Sequence, residues 1–330
     1  MKGHGKKLFI WFIAGILLLL FLIIAVLIGK GKNDQKGYRL IYIPKTTDAN
    51  NDFWTLLMEG VEMAAEEYQV EIQIVAPDTE EDYERQNELI EWAISCEPDA
   101  ILLSPCSYTE TTPYAEKVVE AGIPLIFIDS CLDKEMGDSI IATNNVKLGE
   151  KQGEFIKQFV KEESRIAIVG HVKNSSTALE REEGVRKGLG EYEERIVDVV
   201  FCDSDYDKAY ELMEELIREH PDIDLVAGLN EYSAVGAARA IRDLGLTGKV
   251  KVFGTDSSLE EIQMLEEGIF EGIVIQNPFK MGYMGVEATG AWDNWNLIFQ
   301  LTCKFIKGGI SNGKEQIDWR LPGNWYQTNY

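Results

Sequence analysis

From residue 38 onward, short uninterrupted apolar runs alternate with longer segments in which apolar residues recur every three or four positions. The runs at residues 40–43, 100–103 and 125–128 predict strands that are buried on both faces. The segments 53–68 and 80–94 have the spacing of helices with one apolar face. Because regular alternation of strand and helix is typical of parallel sheets covered by helices, this pattern predicts an α/β fold.

The region also contains the same landmarks twice, in the same order. In both halves a Glu-Gly-Val triplet is followed by a tyrosine at the same spacing. An Asp-Tyr pair then precedes a Pro-Asp pair, again at the same spacing in both halves, and a predicted strand ends at Asp-Ser. These landmarks lie at 59–61, 68, 82–83, 98–99 and 129–130 in one half and at 183–185, 192, 205–206, 221–222 and 256–257 in the other. An ordered series of this length predicts one α/β lobe used twice.

Two aspartates, Asp129 and Asp256, follow equivalent strands of the two predicted lobes. Ligands of open parallel sheets bind outside the carboxyl ends of the strands, so facing lobes would present one carboxylate from each side of a cleft. Carboxylates accept hydrogen bonds from paired hydroxyls, and aromatic rings stack on the apolar faces of sugars. A helix cap is the alternative for either residue alone. Their equivalent positions favour a sugar-binding cleft.

The first segment differs from the rest, because residues 8–28 form a run of 21 residues without charge or proline. As a helix this run is about 31 Å long, close to the hydrocarbon thickness of a bilayer. It lacks the small-x-small pattern of a signal-peptide cleavage site, and the first cysteine is Cys96. We therefore predict an uncleaved, single-pass helix in the cell membrane, with a tether at 29–37 and the binding region outside the cytoplasm.

The chain has 32 basic and 56 acidic residues and a formal net charge of −24, and six of the basic residues precede residue 38. So acidic a surface repels phosphate backbones, which excludes a nucleic-acid partner. With three histidines and no Gly-x-Ser-x-Gly, phosphate loop or metal-spaced cluster, we expect neither an enzyme nor a cofactor or metal. His171 follows the predicted strand at 166–170, and it is interpreted as a surface residue, with contact to a ligand as the alternative.

Two further patterns, one of acidic residues and one of cysteines, do not indicate a metal site. Four acidic residues from Asp203 to Glu214 have the spacing of a calcium loop, but Lys208 occupies the position that needs glycine, and 208–217 has helical spacing. Five cysteines without a CxxC pair do not form a disulfide framework or a zinc site. A single bridge between Cys106 and Cys131 remains an alternative to buried thiols.

Seven motifs between residues 38 and 290 resemble those of the ribose- and galactose-type periplasmic binding proteins, which share a fold with the effector domains of lac-repressor-like regulators. The motifs are Asn51-Asp52-Phe53-Trp54, the Asp129 loop, Glu180-Arg181-Glu182-Glu183-Gly184, Asp205-Tyr206-Asp207, Asn230-Glu231, Gly254-Thr255-Asp256 and Gln276-Asn277-Pro278. The resemblance implies two similar lobes, each a parallel sheet flanked by helices, joined by a multi-strand hinge (periplasmic binding protein type I). It implies a first lobe at 38–143 plus 277–305 and a second at 144–276 plus 306–330, after an anchor and tether at 1–37.

The resemblance also implies a ligand-binding role for nine residues. Asn51, Phe53 and Trp54 would line the cleft from the loop after the first strand, Asp129 and Asp256 would accept hydrogen bonds from sugar hydroxyls, Arg181 would donate to the ligand, Tyr206 would stack on the sugar ring, and Asn230 and Gln276 would complete the polar ring.

This sequence departs from that pattern in two places. Asp52 replaces a proline, and Ser130 replaces the arginine that ribose-type proteins carry after the first cleft aspartate, which counts against ribose itself. The implied function is to capture a small sugar and deliver it to the permease of an ABC-type importer. A membrane-anchored sensor that reports sugar to a histidine kinase is the alternative.

Overall fold

Two five-stranded, all-parallel sheets form the centre of the computed structural model, which describes residues 37–290. The first sheet contains β1 (Arg39–Ile43), β2 (Glu71–Ile74), β3 (Ala100–Leu103), β4 (Leu125–Ile128) and β5 (Ser139–Ile141). The second contains β6 (Ile166–Gly170), β7 (Ile196–Phe201), β8 (Leu225–Gly228), β9 (Lys251–Thr255) and β10 (Phe270–Val274). The strand orders are β2-β1-β3-β4-β5 and β7-β6-β8-β9-β10. The two sheets therefore share one topology, as the repeated landmarks predict.

Nine α-helices flank these sheets within the described residues. They are α1 (Asp52–Tyr68), α2 (Tyr83–Ser95), α3 (Thr112–Glu120), α4 (Asn145–Lys157), α5 (Ser176–Leu189), α6 (Tyr206–Glu219), α7 (Glu231–Asp243), α8 (Leu259–Glu266) and α9 (Pro278–Glu287), with a 3₁₀ turn at Gly190–Arg195. The predicted α/β class with two helix-covered parallel sheets is confirmed.

The apolar strands are buried on both faces, as their composition predicts. Leu102 packs with α1 and α9 on one side of the first sheet, whereas Leu103 faces the cluster that α2 and α3 cover on the other. All four residues of β3 and of β4 are buried. Burial of this continuous apolar surface drives the folding of each lobe.

The repeated Glu-Gly-Val motif has a packing reason, because its glycine lets two helices approach closely. A Cβ on Gly60 would lie 2.0 Å from the Phe279 carbonyl oxygen of α9. A Cβ on Gly184 would lie 2.2 Å from the Val146 carbonyl oxygen of α4. Any larger side chain at either position would push the paired helices apart.

The chain passes between the sheets twice within the described residues. It leaves the first sheet after β5 and enters the second lobe at α4, and it returns between β10 and α9. The apolar run at 8–28 and the C-terminal segment at 291–330 lie outside the described residues. The only candidate for a final strand that the sequence offers in that segment is at 317–319. Among the residues that are described, no helix is both long enough and apolar enough to cross a bilayer.

The structure tests three local predictions from the sequence. The helix expected from residue 80 begins only at Tyr83, because the Asp82 side chain caps its first turn and leaves Glu80 in the preceding loop. The acidic segment with calcium-loop spacing is largely taken up by helix α6, in agreement with its rejection as a calcium loop. Cys106 and Cys131 are not joined by a disulfide.

We predict that Gly184→Ala destabilises the protein by about 1–3 kcal/mol, because the added methyl group clashes with the backbone of α4. Thermal unfolding monitored by circular dichroism measures this loss. Glu183→Ala, one residue away on an exposed position of the same helix, is the matched control and should change stability by less than about 0.5 kcal/mol. Equal melting temperatures for the two variants would contradict the packing argument.

Candidate ligand-binding site

A cavity lies between the carboxyl ends of the two sheets. Its lining residues come from both lobes and are mostly polar or aromatic. They are Lys45, Asn51, Phe53, Trp54, Glu80, Asp129, His171, Thr177, Arg181, Asn230, Tyr232, Asp256 and Gln276. Most of them belong to loops that follow a strand or to the first turn of the next helix, which is where parallel sheets place their ligands.

Asp129 and Asp256 occupy equivalent and strained backbone positions. Their φ angles are 67° and 96°, in the region that disfavours residues with a side chain. The amide of Asp129 donates to Ile141 O and that of Asp256 to Val274 O, both at 2.9 Å. The same unusual conformation at the end of β4 and of β9 turns one carboxylate from each lobe into the cavity.

A buried ion pair holds the first of these carboxylates. Lys45 Nζ lies 2.9 Å from Asp129 Oδ2, and both side chains are less than 5% exposed. The same ammonium donates to Thr177 Oγ1 of the second lobe at 3.4 Å. Burial lowers the pKa of Lys45, but the carboxylates of Asp129 and Glu80 outweigh burial and hold this pKa above its ordinary value. Lys45 is therefore a cation that joins the two lobes inside the cavity.

Glu80 is a second buried carboxylate on the first-lobe side. Its Oε1 accepts a hydrogen bond from Trp54 Nε1 at 2.6 Å, and its Oε2 accepts one from Ser204 Oγ of the second lobe at 2.8 Å. Burial raises the pKa of Glu80, although Lys45 and these hydrogen bonds oppose the rise. Both oxygens are thus used to fix the indole ring and to bridge the lobes.

On the second-lobe side, Arg181 and Asp256 are oriented by the protein itself. Arg181 Nε donates to Asn145 Oδ1 at 2.9 Å and Nη1 donates to Leu229 O at 2.7 Å. Asp256 accepts from Gln276 Nε2 at 2.6 Å and from the amide of Glu231 at 3.0 Å. Burial raises the pKa of Asp256, while nearby Arg181 and the two hydrogen bonds lower it.

His171 lies at the cavity wall and is 2% exposed, so its interpretation as a surface residue is wrong. Its Nε2 forms a hydrogen bond with Thr177 Oγ1 at 2.8 Å. Burial, together with the positive charges of Arg181 and Lys45, lowers the pKa of His171 well below its ordinary value. The imidazole is therefore neutral.

Three aromatic side chains complete the wall. Phe53 and Trp54 meet edge to face with ring centroids 5.1 Å apart, and Tyr232 lies on the second lobe. Flat apolar faces combined with fixed donors and acceptors suit a small ligand that carries several hydroxyl groups. The described groups that could hold a metal ion are Asp198, Glu219 and His220, whose ligand atoms lie within 4.8 Å of one another, and none of them lines the cavity.

Residues 42–291 match the periplasmic binding protein domain family. The chain belongs to the periplasmic binding protein family. It is 27% identical to the ribose import binding protein of Bacillus subtilis over 239 residues, which cover 72% of this chain and 77% of that protein. It is also 27% identical to the D-allose-binding periplasmic protein of Escherichia coli over 247 residues, covering 72% and 79%.

Solved structures agree with this assignment. A sugar transporter from Clostridium phytofermentans is 45% identical, with a TM-score of 0.74 over 79% of this chain and 94% of that one. A solute-binding protein of an ABC transporter from Agrobacterium vitis with bound D-fucose is 26% identical, with a TM-score of 0.71 over 78% and 90%. The proteins of this family are solute-binding proteins, which are non-enzymatic components of transport systems.

Eight of the nine ligand-binding residues predicted for this periplasmic binding protein line the cavity, and their contact with ligand stays a prediction. Tyr206 is the exception. It lies in a neighbouring surface cleft, where its hydroxyl donates to Glu231 Oε1 at 2.6 Å and its ring centroid lies 4.6 Å from that of Tyr232. Tyr232 thus presents an aromatic group to the cavity from this side.

Sequence reasoning missed four cavity residues, Lys45, Glu80, Thr177 and Tyr232, and preferred a surface position for a fifth, His171. Lys45, Glu80 and His171 follow the ends of β1, β2 and β6, so a systematic survey of strand ends would have included them. At the departure from the family pattern, the Ser130 hydroxyl donates to Pro105 O, and the cation beside Asp129 is Lys45.

The lobes also meet around the cavity through helix N-termini. Glu231 at the start of α7 accepts hydrogen bonds from the amides of Asp52 and Phe53 at the start of α1. Asp52 in turn accepts a hydrogen bond from the amide of Leu259 at the start of α8, at 2.8 Å. Each lobe thereby places a carboxyl group at the N-terminus of a helix of the other lobe, and these hydrogen bonds join the lobes.

We predict that closure takes up a proton at Glu231. Burial, with the nearby charge of Asp256, raises the pKa of this carboxyl to about 7, whereas a hinge opening that exposes it would restore the ordinary value of 4.5. The protonated group favours closure below pH 7, and this contribution is lost as the pH rises through 7.

Ligand affinity measured by calorimetry at pH 8.0 and 6.5 tests this linkage. Relative to Glu231→Gln, the wild-type protein should gain about threefold in affinity at the lower pH. The Gln side chain retains an oxygen acceptor for the Phe53 amide, so the comparison isolates the titration. An identical pH profile for the two proteins would contradict the linkage.

Proposed function

We propose that this periplasmic binding protein captures an uncharged monosaccharide in the cavity between its lobes. The proposal rests on one observation: Asp129 at the edge of the first sheet and Asp256 at the edge of the second both line a cavity that also has aromatic walls. Two carboxylates accept hydrogen bonds from hydroxyls on opposite sides of one ring, and the aromatic groups contact its apolar faces.

The charges in the cavity favour a neutral ligand. The ammonium of Lys45 is already paired with Asp129, and the positive charge of Arg181 lies close enough to Asp256 to lower its pKa. An acidic sugar would bring a further negative charge into a cavity whose three buried carboxylates already outnumber its two cations, Lys45 and Arg181. Proteins similar to this chain are named for ribose, allose and bound D-fucose, all of which are uncharged.

Residues 38–330 should bind a member of a panel of pentoses, hexoses and their deoxy derivatives. At a ligand concentration of a hundred times the dissociation constant, binding stabilises the folded state by about 2.7 kcal/mol, which a thermal shift detects. Asp256→Ala and Arg181→Ala should each lose most of the binding and retain the circular dichroism spectrum, and Glu183→Ala should bind as the wild type does. A panel without any thermal shift contradicts a sugar ligand, and wild-type affinity in both cavity variants contradicts the site.

Delivery to the permease of an ABC-type importer is the proposed physiological role. The name of the similar Bacillus subtilis protein, an import binding protein, supports this role. The membrane-anchored sensor is a second candidate, and the apolar run at 8–28 favours it because a spanning helix can contact the helices of a kinase. Loss of sugar uptake in a deletion strain, without loss of sugar-induced transcription, would distinguish import from sensing.

We further propose that residues 8–28 remain on the mature protein as its membrane anchor. The run is long enough to span the bilayer and lacks a small-residue cleavage pattern. Mass spectrometry of the N-terminus from isolated membranes should find peptides that precede residue 29. A mature chain that begins between residues 29 and 36, or that accumulates in the culture fluid, would identify the segment as a signal peptide.

A further inference from the structure

We propose that Asp198, Glu219 and His220 form a site for a divalent transition-metal ion on the second lobe, with Zn²⁺ as the best fit. One oxygen of each carboxylate and one ring nitrogen of His220 all lie within 4.8 Å of one another. None of the three residues lines the cavity, so this inference does not depend on a sugar ligand. The sequence contains no metal-ligand spacing for this cluster, because the fold brings Asp198 of β7 to the end of α6.

Two local features of the backbone place these ligand atoms. In β7, the register against β6 shifts by one residue immediately before Asp198, which lies opposite Ala167. A shift of this kind changes the face of the sheet on which the following side chains lie. At the end of α6, His220 is the C-cap residue, and its amide donates to Leu216 O at 2.8 Å. Both features lie towards the amino ends of the strands, away from the cavity at their carboxyl ends.

The charges around the cluster favour a cation. Among residues 37–290, no lysine or arginine forms an ion pair with Asp198 or Glu219. Two carboxylates therefore approach each other without a positive side chain to balance them. Asp198 Oδ1 accepts from the amide of Val199 at 2.7 Å, which leaves Oδ2 for an ion. The C-terminus of a helix also carries partial negative charge, so the end of α6 attracts a cation as well.

The ligand atoms select the class of metal. An imidazole nitrogen with two carboxylate oxygens suits Zn²⁺ and similar transition metals, whereas Ca²⁺ and Mg²⁺ bind oxygen ligands. In a tetrahedral Zn²⁺ site with bonds of about 2.0–2.2 Å, neighbouring ligand atoms lie roughly 3.3 Å apart. Glu219 is exposed, so rotation of its side chain can close the remaining distance. Water would occupy the fourth position.

An ion held in this way would link the edge strand of the second sheet to a helix that covers it. Asp198 belongs to β7, and the other two ligands end α6. The unfolded chain does not hold these ligands together, so binding of the ion favours the folded second lobe. We therefore expect metal binding to be measurable as an increase in stability.

Zinc binding to the full-length chain, purified without a histidine tag and freed of metal with EDTA, tests this site. At a Zn²⁺ concentration of a hundred times the dissociation constant, the melting temperature should rise by about 4 °C. The same concentration of Ca²⁺ should leave it unchanged, because the imidazole of His220 is a poor ligand for Ca²⁺.

Three variants locate the bound ion. His220→Asn and Asp198→Asn should each weaken Zn²⁺ binding by about tenfold or more in competition with a chromogenic chelator, since each removes one of three ligands. Asparagine is well tolerated at the C-terminal end of a helix, so His220→Asn should preserve α6. Glu215→Gln, at an exposed position of the same helix, is the matched control and should bind Zn²⁺ as the wild type does.

The visible absorption of bound Co²⁺ provides a direct readout, because it depends on the ligands of the metal. The spectrum of the wild-type complex should be lost or altered in His220→Asn and retained in Glu215→Gln. The absence of a thermal shift with Zn²⁺, an equal shift with Ca²⁺, or wild-type Zn²⁺ affinity in both cluster variants would overturn the proposal. If circular dichroism shows that one of these variants does not fold, Glu219→Gln at the exposed ligand gives the same decision.

Discussion

The cavity depends on one constraint: charged groups taken out of water must be paired. Lys45 and Asp129 are both less than 5% exposed, and removing either partner would leave an isolated charge at a cost of about 3–5 kcal/mol. Arg181 is likewise committed to Asn145 and to a backbone carbonyl. These ion pairs and hydrogen bonds fix the side chains in the absence of ligand, so the donors and acceptors of the cavity are already oriented when a ligand binds. Such preorganisation lowers the entropy that binding would otherwise cost.

The same constraint explains how two lobes with the same backbone topology form a cavity whose two sides differ in their polar contacts. Both sheets end in an aspartate at positive φ, and both hold the amide of that residue on the neighbouring edge strand. The pairing partners then differ, because Asp129 meets the ammonium of Lys45 whereas Asp256 meets the amide of Gln276 and the N-terminus of α7. A repeated backbone thus supports a cavity whose two sides have different hydrogen-bonding requirements.

The sequence predicts those parts of the molecule that depend on local pattern. Apolar runs gave β3 and β4 with the observed bounds, and the repeated landmarks gave the equivalence of Asp129 and Asp256. The missed features depend on distant partners: Glu80 was assigned to a helix by its spacing, yet it turns into the cavity because Trp54 and Ser204 supply hydrogen bonds to both its oxygens. His171 was interpreted as a surface residue because no neighbouring residue in the sequence indicates that Lys45 of the first lobe contacts the second lobe beside it. Tyr206 was placed by motif, but the direction of α6 carries it to the outer cleft beside Glu231.

A protein that captures a ligand and later releases it needs a closed form that is only slightly favoured. The contacts around the cavity fit this requirement, because they include hydrogen bonds between carboxyl groups of one lobe and the ends of helices of the other. Glu231 accepts from the first turn of α1 and Asp52 accepts from the first turn of α8, and each such contact contributes about 0.3–2 kcal/mol. Water can replace every one of these hydrogen bonds when the lobes separate. The apolar cores stay within each lobe, so opening at the two passages between the sheets costs little core packing. A ligand that contacts groups of both lobes at once would then decide the balance between the open and the closed form.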